Sequence, residues 1–103
     1  MAAVSHVTVW RPRDGQTDRF LAGCQIGKAI HEKYGATVYL TAQTAGKEPS
    51  SYSYMMVFES ATKYGTFGEA LFNDPDWIAL VAEGAKNPAA DVISQSTYRE
   101  IQL

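Results

Sequence analysis

Two histidines, a single cysteine and a scattering of phenols and hydroxyls are the side chains able to move protons or hold a polar group in this 103-residue chain. His6, Thr8 and Trp10 alternate with Val7 and Val9, so if the valines pack under helices, these three project the other way. His6 could then act as a general base, and Trp10 offers a face on which an aromatic molecule stacks. Tyr39, Tyr54 and Tyr98 are the phenols that alternation places best to line a pocket, with Thr41 and Met56 beside them; their hydroxyls could orient a phenolic or enolic compound. The plainer reading of this set is a solvated His6 and an interface built of aromatic side chains.

The remaining candidates read as structural. His31 lies on the edge of an apolar helical stripe, three residues before Tyr34, with no second ligand at metal-binding spacing. Cys24 belongs to the same stripe as a small buried hydrophobe, and as a lone cysteine it excludes an internal disulfide. Arg11 and Arg99 could clamp a carboxylate, although single arginines at strand ends are usually solvated. There is no Ser-His-Asp arrangement and no phosphate-cradling loop; Gly65 and Gly68 sit three apart inside a helix. No residue pattern calls for a metal or a cofactor.

These side chains need elements to hold them. Val7–Trp10 reads as a strand ended by Pro12 and the Asp14-Gly15 turn. From Gln16 to Tyr34, Phe20, Gly23, Cys24, Gly27, Ile30 and Tyr34 recur at helical spacing, and Gly35 supplies the stop. Gly23 and Gly27 on that stripe predict close approach of helix to sheet. Ala36–Gln43 and Tyr52–Glu59 alternate as two strands joined by a long loop. Ser60 caps a helix with the stripe Tyr64, Phe67 and Leu71, and Asp74-Pro75 restarts it to bury Trp77, Leu80 and Val81. Asp91–Ile101 forms a last strand rich in Ser, Gln and Thr. The whole is one α+β domain over residues 1–103, of ferredoxin-like βαββαβ order, with a four-stranded antiparallel sheet and the helices on one face.

Such a sheet is bare on its other side. Val38, Leu40 and Ala42 go under the helices with Val7 and Val9, while Tyr39 and Thr41 face away with His6, Thr8 and Trp10. Strand three is apolar on both faces, Tyr52, Tyr54, Met56 and Phe58 on one and Met55 and Val57 on the other. Four strands of roughly six residues present about 400 Å². Covering that area contributes up to about 10 kcal/mol per subunit, against an association cost of roughly 4 to 15 kcal/mol. A second copy of the chain is the expected cover, giving a homodimer that encloses a small-molecule cavity.

Composition excludes other partners. The chain is 46% hydrophobic and 19% charged with a net charge of -2, and its basic residues are scattered, so neither nucleic acid nor an anionic membrane surface is an expected partner. The N-terminus has no basic start followed by an apolar run, which makes a reducing, cytoplasmic setting the default expectation.

The turn Arg11-Pro-Arg-Asp-Gly15 leading into Gln16-Thr-Asp-Arg-Phe20, the strand end Val57-Phe-Glu-Ser60, and Asn73-Asp-Pro-Asp-Trp77 resemble NIPSNAP-type and antibiotic-biosynthesis-monooxygenase-type members of the dimeric α+β barrel superfamily. The resemblance spans nearly the whole chain. It implies two protomers packed sheet against sheet. It also implies a cofactor-independent monooxygenase-like activity on a small, aromatic molecule, or else a non-catalytic binding or structural dimer, because this fold serves many functions.

Overall fold

The computed structural model describes residues 2–103. Its elements are β1 (Val4–Pro12), α1 (Thr17–Lys33), β2 (Thr37–Ala42), β3 (Tyr52–Phe58), α2 (Ala61–Phe72), α3 (Pro75–Lys86) and β4 (Ala90–Arg99). The strands form one antiparallel sheet in the order β2-β3-β1-β4, the ferredoxin-like arrangement. The elements stop where local chemistry dictates. Gly35 takes φ +99° after α1, a backbone conformation that favours glycine. Ser60 Oγ accepts from Lys63 N at the start of α2, and Asp74 Oδ1 accepts from Trp77 N at the start of α3, with Pro75 in the first turn where a missing N–H costs nothing.

The helices lie on one side of the sheet. Ile30, Ala36, Val38, Tyr54, Phe58, Phe67 and Leu71 form the core between the layers. The shortest principal extent is only 17 Å, the depth of one sheet and one helix layer. The radius of gyration of 14.1 Å exceeds the roughly 13 Å of a compact chain of 100 residues. The molecule is thus flattened, with one sheet face uncovered.

The facing of β1 is opposite to the sequence expectation. Val4 pairs with Phe58, His6 with Met56, Thr8 with Tyr54 and Trp10 with Tyr52, and residues directly opposite share a face. Phe58 is 1% exposed beneath the helices, so His6, Thr8, Trp10, Tyr54 and Met56 all lie on the helix side. Val7 and Val9 instead join Met55, Val57, Tyr39 and Thr41 on the open side, where Tyr98 also sits opposite Ser5. The reason is β1's central position between β3 and β4: both its faces carry apolar residues, and alternation alone does not say which set goes under the helices.

Two further expectations are corrected. Gly23 does not mark a close approach, because a side chain there would meet no atom within 4 Å, whereas Gly27 does face Tyr54 and Leu80. Val81 is half exposed and α3 has no fully buried residue; it packs through Trp77 and Leu80 alone.

Candidate functional site

The helix-covered face holds a cluster in which every polar atom but one is accounted for. β3 presents Tyr54 upward, and the last turns of α1 present His31 downward onto it. The His31 Nδ1 to Tyr54 Oη distance is 2.6 Å. Around this pair stand Phe67 from α2 and Trp77 from α3, their ring centroids 5.7 and 4.6 Å from the imidazole. His31 is 5% exposed, and its Nε2 is the one buried side-chain nitrogen or oxygen among the described residues with no hydrogen-bond partner. An unpaired buried polar group of this kind costs about 1–3 kcal/mol.

Burial sets the charge state of the cluster. It lowers the His31 pKa to about 4, so the imidazole is neutral at pH 7. It raises the Tyr54 phenol well above its ordinary value, with the charges of Cys24 and Glu32 adding to the effect, and it raises the Cys24 thiol to about 11. The site is an uncharged aromatic box containing a neutral His-Tyr couple.

Asp74 holds the box together from outside. Its Oδ2 accepts from Lys33 Nζ at 2.8 Å and from the Tyr34 hydroxyl, while its Oδ1 caps α3 through Trp77 N at 2.9 Å. These contacts hold the Asp74 carboxyl far below the usual carboxylate range, the Lys33 hydrogen bond being the largest cause. One carboxylate therefore ties the end of α1, which carries His31, to the turn that sets Trp77 against it.

The residues nominated from the sequence divide between four places. Tyr54 is in the box, and Thr8 is its cross-strand neighbour. His6 lies farther along β1, where its Nδ1 is 2.9 Å from Thr97 Oγ1 and its ring stacks on Tyr64, opposite Met56. Trp10 packs on Phe20, which also touches Tyr52. Tyr39, Thr41 and Tyr98 are on the far side of the sheet, with Tyr39 51% and Tyr98 57% exposed. His31, read as structural, proves to be the partner of Tyr54. The signal that could have found it is the four-residue spacing of Gly23, Gly27 and His31, which stacks them on one face of α1.

Between α1 and β2 runs an open groove of about 470 Å³, lined by Leu21, Cys24, Val38 and Leu40 with Asp18 and Lys28 among its polar members. Cys24, which also packs against the core, connects the groove to the Tyr54 side of the box. No group of three or more His, Cys, Asp or Glu able to hold a metal occurs among the described residues. No described helix is long and apolar enough to cross a membrane.

Neither a known family profile nor a curated protein matches the sequence. Solved structures do match the fold over nearly the whole chain. An uncharacterized NIPSNAP-domain protein from Burkholderia xenovorans is similar at 19% identity and TM-score 0.74, covering 97% of this chain and 94% of that one. A proposed antibiotic biosynthesis monooxygenase from Chloroflexus aurantiacus is similar at 15% identity and TM-score 0.67, with 97% and 94% covered. SnoaB, a cofactor-independent oxygenase from Streptomyces nogalater, is similar at 12% identity and TM-score 0.69, with 98% and 95% covered. The fold is that of NIPSNAP-domain and antibiotic-biosynthesis-monooxygenase-like proteins.

Proposed function

We propose that the chain acts as a homodimer, closed through its open sheet face, and that each protomer takes a small neutral aromatic molecule between helices and sheet for oxygenation without a cofactor. The observation that carries this reading is the open groove of about 470 Å³ between α1 and β2. Leu21, Cys24, Val38 and Leu40 give it an apolar wall with Asp18, Gln25 and Lys28 at its polar positions, which suits an apolar guest with one polar group. The oxygenase arm is supported by likeness to a cofactor-independent oxygenase of the same fold. The dimer arm is supported by Val7, Val9, Met55 and Val57, which form a continuous apolar patch on the open face, flanked by the exposed Tyr39 and Tyr98.

Anthrone is a suitable probe, being neutral, aromatic and enolisable. In the reaction, its methylene C–H bonds give way to a C=O, one oxygen atom of O2 entering the ketone and the other leaving as water. The expected result is protein-dependent uptake of one O2 per anthraquinone formed, from particles with twice the 11.3 kDa chain mass by light scattering. Tight anthrone binding with no oxygen uptake would instead establish a non-catalytic binding dimer. A single-chain mass in dilute buffer would overturn the dimer.

A further inference from the structure

The sheet has two edge strands, β2 and β4, and they are protected unequally. β4 carries Asp91 and Arg99, and its pairing with β1 is interrupted by a register shift at Val9/Trp10, both devices that discourage the addition of a further strand. β2, Thr37-Val-Tyr-Leu-Thr-Ala42, has no charge, no proline and no break in its register with β3. Its β-branched and aromatic composition suits a paired strand, and every residue but Val38 is exposed.

The ladder fixes which backbone groups this edge offers. Gln43 N donates to Ser51 O at 3.0 Å, one position past the Ala42–Tyr52 pair, so by the alternation of an antiparallel ladder Thr41, Tyr39 and Thr37 turn their N–H and C=O groups toward β3. Val38, Leu40 and Ala42 turn theirs outward. The Val38 N–H bears this out by donating to Glu32 Oε2 at 3.4 Å. No side chain or loop of the described residues occupies the outward groups of Leu40 and Ala42. Beside the same edge, the α1 wall of the groove carries opposite charges at its two ends. Asp18 has no ion-pair partner among the described residues, and Lys28 is held only by Glu32, one turn on. Two strand residues span about 6.7 Å, or roughly four to five residues of helix. Leu40, two residues from the Val38 that Glu32 touches, therefore lies near the midpoint between Asp18 and Lys28.

We propose that a second copy of the chain adds to this edge, β2 antiparallel to β2 about a two-fold axis at Leu40. The N–H and C=O of Leu40 in each copy pair with those in the other, and the Ala42 N–H of each donates to the Val38 C=O of the other. The same axis brings the Asp18 end of one α1 toward the Lys28 end of the other, so the charges are self-complementary. The product is a continuous eight-stranded sheet with all helices on one face. This contact goes beyond the small-molecule reading and leaves the bare sheet face free to pair. Its axis is perpendicular to the sheet, whereas an axis that pairs two sheets face to face lies in the sheet plane, so the two contacts together are compatible with a closed particle of four chains.

The test is light scattering and sedimentation of the unaltered protein from about 1 μM to about 1 mM, over which the mass should rise from twice toward four times the 11.3 kDa chain. Amide hydrogen exchange at Leu40 and Ala42 should slow at least about tenfold over the same range, while Tyr39, already bonded to β3, stays as it is. Ala42→Pro removes an outward N–H without touching the β2–β3 ladder and should weaken the four-chain state at least about tenfold. Asp18→Lys should also weaken it, and Asp18→Lys combined with Lys28→Glu should restore it, a rescue that damage to the fold would not give. A mass fixed at two chains throughout, unchanged exchange at Leu40, growth past four chains, or a charge swap without rescue would overturn the proposal. Pairing that appears on concentration and survives Met55→Lys leaves this contact standing even where the sheet-face dimer has failed. A two-chain particle insensitive to concentration does the reverse.

Discussion

Both faces of this sheet carry apolar residues but treat them differently. Under the helices, Phe58, Tyr54, Phe67 and His31 are almost wholly withdrawn from solvent. On the other side, Val7, Val9, Met55 and Val57 are only partly buried and Tyr39 and Tyr98 stand out in water. The helix-side face therefore accounts for the stability of the single chain, whereas the open face has apolar surface left over for association. The buried His-Tyr couple is on the first face and the expected dimer contact on the second.

The strongest way to break that division is to cut into the covered face. Phe58→Ala should lower unfolding free energy by about 4 kcal/mol in urea titration, because it removes a fully buried ring and leaves a cavity between β3 and α2. A loss under 1 kcal/mol would mean the core is not where these contacts put it.

Acid probes the same face. The His31 pKa falls from 6.5 when unfolded to about 4 when folded, so the unfolded chain binds the proton more readily. The contribution is fully present above pH 6.5 and is lost as pH falls toward 4, amounting to up to about 3 kcal/mol. Denaturation followed across that window should show the loss in the unaltered chain and its removal in His31→Phe.

The open face is tested with Met55→Lys. Met55 pairs with Val7 on one side and Tyr39 on the other, at the centre of the bare surface. A charge there should leave the unfolding of the single chain nearly unchanged yet weaken self-association at least ~100-fold, about 2.7 kcal/mol, by analytical ultracentrifugation. If the mass distribution does not change, this face is not the contact.

The smallest effect sharpens the contrast within the covered face. Gly23→Ala adds a methyl where nothing lies within 4 Å and relieves a helix-interior glycine, so stability should rise by up to about 1 kcal/mol. Calorimetry would detect the gain.

Much of the fold was legible before any coordinates. The periodicity of α1, the Gly35 stop, the Ser60 cap and the Asp74-Pro75 restart are local signals, each read from a few adjacent residues and each present in the structure, whereas Leu40 and Ala42 of β2, expected under the helices, are left exposed beside Val38 because no helix reaches over them. The site was far less legible. Tyr54 was nominated for the open face and His31 dismissed, because 23 residues separate them and no local pattern reports that one lies above the other. The nominated His6 turned out to sit against Thr97 and Tyr64, and Tyr39, Thr41 and Tyr98 to lie on the opposite surface from Tyr54.

The chain's own order of residues determined which segments become strands and helices and that one sheet face would lack a cover, since these follow from spacing, caps and right-handed crossovers. Only the tertiary structure decided which side of β1 goes under the helices. A central strand with apolar residues on both faces has two acceptable facings by alternation, and the choice is made by its hydrogen-bond register with β3, a relation between distant segments. That register, together with the seating of α1 over β3, is what brings Tyr54 beneath His31.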